Sequence, residues 1–258
     1  MRMGGTLYMR IYNKLAVDFI TSELPLPSIS YLPYGLQLTY VVEFFNICPK
    51  PTVHQRHELV KWFWKTSFTQ HYGSANTGLI TKDLAQIRNF ANGKIEKPLV
   101  GKTINFEGFL EDNFILNKAS SLSFALLLAT NKPKSLLDGT TVDTYKALSV
   151  INKLEYHHIF PKAFLKEIGF NKTDINFHSN ISMQNLSNNR EISDAMPSNY
   201  FVEIEKRLGD KLHPVLESNF INNDAFNAGK KNDYKNFIKE RSKSLKAKLT
   251  SLVDDEVT

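Results

Sequence analysis

Apolar residues recur at helical spacing through the first half of the chain. Leu7, Ile11, Leu15, Phe19 and Ile20 share one face of a helix predicted over 8–23, and Pro25 ends it. Leu24 to Pro33 holds three prolines and reads as an extended connector. A second apolar helix is predicted at about 35–47, broken by Pro49-Lys50-Pro51. Thr52, with Gln55 three residues on, then forms a capping box that opens a third helix. Leu59, Val60, Trp62, Phe63 and Trp64 lie on that helix, so it is the predicted centre of a first core. A polar loop over 70–78 precedes a helix of about 79–91 that stops at Asn92-Gly93. Lys102 to Phe109 alternates like a short strand, and helix resumes at about 118–130 around the apolar run Phe124–Ala129. Asn131 to Thr141, with Lys132-Pro133-Lys134 and Asp138-Gly139, reads as a linker. It divides a helical domain, 1–140, from a second domain, 141–258.

Beyond it the pattern changes. A strand-like run carries His157 and His158, and a short helix after Pro161 closes at Gly169. A polar loop over 171–179 leads to a second short strand at 181–186, and Ser187 or Asn188 caps a short helix bearing Asn189. Pro197 opens a helix to about Leu208, and a long basic helix over 231–252 ends in Asp254, Asp255 and Glu256. The expected fold is mainly α with a small embedded ββα motif, α+β as a whole.

The chain has 258 residues, 42% of them apolar and 22% charged, as in soluble globular proteins with one large or two modest domains. A single cysteine, Cys48, excludes a disulfide framework and fits a reducing cytoplasm, the expected location. No signal peptide is visible, and no apolar run is long enough to cross a bilayer. The net charge of +6 permits nucleic-acid binding without requiring it. Its distribution says more: residues 230–248 carry eight basic side chains against two acidic ones. Lys239, Lys243 and Lys246 on that helix are therefore candidate phosphate contacts, with a solvated helix face as the alternative.

Two adjacent histidines at the end of a strand point to opposite faces, and the Pro161 that follows turns the chain. His157-His158-Ile159-Phe160-Pro161, followed by Asn180 and then Asn189, resembles an HNH-type ββα-metal nuclease site. Phosphodiester hydrolysis needs an activated water, neutralised phosphate charge and help for the leaving oxygen, which one metal ion and one imidazole can share. His158 is the candidate general base, His157 the first metal ligand and Asn189 the second, through its amide oxygen. So sparse a donor set suits Mg2+ or Mn2+ rather than closed structural zinc. Asn180 is expected to brace the backbone near His158, without touching the ion. Arg190 can donate to the scissile phosphate or pair with Glu191. His178 is a rival ligand, expected to be structural or solvent-facing. His54 and His57 are expected on a helix surface and His213 in a turn.

His158-Ile159-Phe160-Pro161, Asn180, Asn189-Arg190 and Pro197-Ser198-Asn199-Tyr200 together resemble the HNH-like nuclease domain of GmrSD-type type IV restriction proteins. Leu32-Pro33-Tyr34, Leu59 to Trp64 and Tyr72 are similar to the helical region that precedes it there. The resemblance implies a metal-dependent endonuclease acting on DNA in defence against foreign or modified DNA. It departs at position 157, where many HNH proteins carry an acidic residue, although colicin-type nucleases use His as a ligand there. The family's ParB-like nucleotide-binding domain, with its Asp-Gly-Gln-Gln-Arg-type motif, has no counterpart in this sequence. That implies a separate nucleotide-binding subunit as a further partner beside DNA. The alternative reading is a catalytically silent DNA- or partner-binding subunit of a restriction complex; an RNase is the third.

Overall fold

The chain gathers into two units, 1–105 with 252–258 and 106–251, in a computed structural model that describes residues 3–148, 156–185 and 196–254. Position 140, the expected boundary, falls inside the second unit. Among the described residues helix dominates, with a single antiparallel pair of strands, and no helix is long and apolar enough to cross a membrane.

The first unit is built from α1 (Met3–Glu23), α2 (Gly35–Ile47), α3 (Val53–Phe68) and α4 (Thr77–Ala91). The capping box forms as its residues dictate: Thr52 Oγ1 accepts the Gln55 N–H at 3.1 Å, and Gln55 Oε1 accepts the Thr52 N–H at 3.0 Å. Both tryptophans of α3 are buried, among Phe19, Tyr40, Phe44, Phe63 and Phe90. Gln37 is buried with them and satisfied, its Nε2 donating to Thr66 Oγ1 and Ser67 Oγ at 2.9 Å each. His54 and His57 are exposed on α3. His71 is buried and bonded to Asp83 at 2.7 Å.

The second unit opens with α5 (Phe106–Leu110), where alternation predicts a strand. Phe109 and Leu110 are adjacent and both buried, which a one-faced strand does not allow and a helix does. Then follow α6 (Ala119–Thr130), α7 (Thr144–Ala147), β1 (Tyr156–His158), α8 (Lys162–Glu167), α9 (Lys172–Ile175), β2 (Ile181–Met183), α10 (Pro197–Leu208), α11 (Leu212–Ser218), α12 (Asn223–Lys230) and α13 (Tyr234–Val253). The segment 171–179, expected to be a polar loop, thus contains α9, and His213 sits in the first turn of α11 rather than in a free turn.

The predicted linker is a docked turn. Leu136 and Leu137 belong to the core of this unit, the Leu136 N–H donates to Gln184 Oε1 at 2.9 Å, and the Lys134 N–H donates to Ser218 Oγ at 3.0 Å. Asp138-Gly139 does turn the chain, with Gly139 at φ +71°, but two leucines anchor what the turn signals alone would leave loose. Phe160, Phe201, Ile204, Phe226 and Phe237 fill the centre of that core. At Gly229 a Cβ would meet the Phe201 ring at 2.6 Å, so only glycine lets α12 pass this close.

Candidate active site

β1 and β2 pair antiparallel, with His157 opposite Ser182 and His158 opposite Ile181. Alternation along β1 buries His157, which is 8% exposed, and leaves His158 half-buried on the other face. The chain then turns through Ile159 and Phe160 into Pro161, which caps α8. Asn180 holds that turn. Its Oδ1 accepts the Phe160 N–H at 2.9 Å, while its Nδ2 donates to the carbonyls of Phe160 at 3.2 Å and Ile175 at 3.0 Å. Its own carbonyl accepts the Ile159 N–H at 2.8 Å. Fully buried, Asn180 spends its amide on the backbone just beyond His158.

His158 Nε2 lies 3.0 Å from Asn176 Oδ1. Burial, with the charge of Lys162 and then His157 beside it, pushes the imidazole down to about 4, against the opposing pull of the Asn176 bond. At neutral pH the ring is therefore uncharged and keeps a lone pair. Lys162 is itself lowered by partial burial and by Lys166 and Lys172. Lys162 and Lys166 are four apart on α8, which packs on α9, and Lys172 opens α9. Among the described residues none of these three lysines has a carboxylate partner, and the charge of Lys162 acts directly on His158.

His178 is the buttress of the site. It is fully buried and stacked on Phe124 at 4.7 Å between centroids. Nδ1 donates to the Phe109 carbonyl at 2.7 Å, and Nε2 faces the Ser121 hydroxyl at 3.2 Å. Both nitrogens are used, so His178 is no ligand here. The backbone beside it is tied to the same platform, the His178 N–H donating to Asp112 O at 2.9 Å and the Phe114 N–H to Asn176 O at 2.8 Å. From the other side, Tyr234 on α13 donates to Asp174 O at 2.6 Å. Arg241 donates from Nη1 to Ser179 O at 2.6 Å and from Nε to Asn219 O at 3.2 Å. Counted by sequence among the basic residues of 230–248, Arg241 is instead fully buried. Burial lowers it to about 9, and it has no carboxylate partner among the described residues.

Lys239, Lys243 and Lys246 do come together, lining a groove of about 370 Å³ with Phe106, Leu110 and Ile238. Lys243 is paired with Glu240 at 2.7 Å, and Lys246 Nζ sits 5.7 Å from the Phe106 ring centroid. Asn189 and Arg190 lie outside the described residues. Among the described residues no three His, Cys, Asp or Glu side chains converge as a metal cluster. Sequence reasoning missed Asn176 and Lys162. Lys162 had a signal, being the first residue after the His-His-Ile-Phe-Pro run. Asn176 had none beyond being one asparagine among many.

The chain is 25% identical over 247 residues to uncharacterized protein MJ0686 of Methanocaldococcus jannaschii, a match covering 86% of this chain. It spans 41% of that protein's length. No protein-family profile matches the chain, and no solved structure does.

Proposed function

We propose that this protein is an HNH-like, divalent-metal-dependent endonuclease that hydrolyses DNA phosphodiester bonds in defence against foreign or modified DNA. One observation carries the reading: adjacent histidines on opposite faces of a paired strand, with a buried asparagine fastening the turn after them. In this reading His158 takes a proton from water as that water attacks phosphorus, and the bond from phosphorus to the leaving oxygen breaks. Lys162, Lys166 and Lys172 offset the charge of the phosphate. His157, with Asn189, would hold Mg2+ or Mn2+, which supplies charge neutralisation at the phosphate and the leaving oxygen. One imidazole and one amide fit an ion that retains several waters.

Plasmid nicking with Mg2+ or Mn2+, with and without chelator and beside an RNA control, tests the proposal. His158→Ala is expected to slow nicking about 10²–10⁴-fold with folding intact. Nicking at the wild-type rate by that variant would remove His158 as base. His157→Ala is expected to weaken Mn2+ binding in calorimetry, and Asn180→Ala to leave it largely unchanged. Equal affinity in wild type and His157→Ala would take the ion away from this strand.

A further inference from the structure

We propose that Asn176 is a positioning residue that fixes the tautomer of His158, holding the ring proton on Nε2 and leaving Nδ1 to take the proton from water. The catalytic half of this role rests on His158 being the base of the reaction above; the tautomer itself follows from geometry alone.

The chain of bonds runs from a group that can only accept. Lys172 O receives the Asn176 Nδ2 at 2.7 Å. A carbonyl has no proton to give, so turning the amide over would set Oδ1 against an oxygen, and the amide has one orientation. That orientation presents Oδ1, an acceptor, to His158 Nε2 at 3.0 Å. In the neutral ring Nε2 must therefore carry the hydrogen, and the lone pair belongs to Nδ1. The side chain is presented by a fastened backbone. Asn176 N–H donates to Thr173 O at 3.0 Å, and Asn176 O accepts from Phe114 N–H at 2.8 Å. His178 follows the same logic to the opposite result, since its Nδ1 faces the Phe109 carbonyl and must hold the proton. Two histidines of one unit are thus kept in opposite tautomers, one as a wedge and one as a base. Asn180 does different work: its bonds go to backbone and none to an imidazole.

The test is long-range 1H–15N correlation on the full chain, 15N-labelled at histidine, at pH 7.5 with chelator present. His158→Gln identifies the His158 signals. The expected wild-type spectrum shows the Nε2–H tautomer for His158. Asn176→Ala is expected to shift the ring toward Nδ1–H or a mixture and to lower kcat of nicking about 10–100-fold, the usual cost of losing an orienting partner. Asn176→Asp keeps an acceptor toward Nε2 but sets its second oxygen against Lys172 O, so it is expected to retain Nε2–H while recovering only part of the rate. A proton on Nδ1 in the wild type overturns the assignment. So does an unchanged tautomer in Asn176→Ala, whatever the rate does. A tautomer that follows Asn176 in a protein that nicks nothing would uphold the positioning role and remove the nuclease reading instead.

Discussion

His158 and His178 are both pushed down to about 4 from an ordinary 6.5, with burial as the first cause in each. Protonation then favours the unfolded chain, which binds protons in this interval that the folded chain does not. The sign is definite: the stability is fully present above about 6.5 and is lost as pH falls toward 4. Urea unfolding at pH 7.5, 6 and 4.5 is expected to show that decline. His178→Gln, less stable throughout, is expected to show a shallower one, and an undiminished slope would mean His178 titrates normally. Asn180→Ala strands the buried Phe160 N–H and two carbonyls, so a loss of at least about 1–3 kcal/mol is expected, the cost of a single unsatisfied group. It should leave the His158 tautomer alone, which separates it from Asn176→Ala. The histidine pair and Asn180 were legible in the sequence because strand alternation and the Pro161 turn constrain what such residues can do. Asn176 was not, because its role depends on which carbonyl α9 turns toward its amide.

α13 shows what periodicity can and cannot rank. Phe237, Leu245 and Leu249 identify its buried face, but Arg241 lies on that same face, and charge alone places it with the lysines outside. Only the carbonyls of Ser179 and Asn219, from distant parts of the chain, explain why a guanidinium is inside. The lysines themselves divide by partner. Lys243 is already paired with Glu240, whereas Lys162 and Lys172 have no carboxylate among the described residues. Replacing Lys162 and Lys172 by Gln is expected to flatten the salt dependence of DNA binding, by about 0.9 in slope for each phosphate no longer neutralised. Lys243→Gln should change it little. Equal effects would place the DNA along the α5–α13 groove as much as at the histidines. Between α10 and α12, Gly229→Ala would drive a methyl into Phe201, and a destabilisation of about 1–3 kcal/mol is expected by thermal or denaturant unfolding.

At the scale of the whole chain, the long helices and the two short strands were readable because each is a local pattern, whereas α5, expected as a strand, and α9, expected as a loop, were not. The division into units was not. Turn residues at 131–141 suggested a linker, yet Leu136 and Leu137 are core, and α5 with α6 belongs with the histidines through the platform under His178. No phosphate-cradling glycine loop occurs in the sequence. Nicking by this chain alone is therefore expected to require divalent metal and to ignore added GTP or ATP at fixed free Mg2+; several-fold stimulation would reveal a nucleotide site or a retained partner. The latch formed by Tyr234 and Arg241 also bears on when such activity can begin. A ribosome delivers the histidines long before it delivers α13, so in the reading proposed above the nascent chain would carry the proposed base without the donors that hold the segment bearing Asn176 and Asn180. Synthesis order would then act as a safety catch: the polypeptide is armed only when α13 has emerged and closed, and a chain stopped before Tyr234 should stay disarmed.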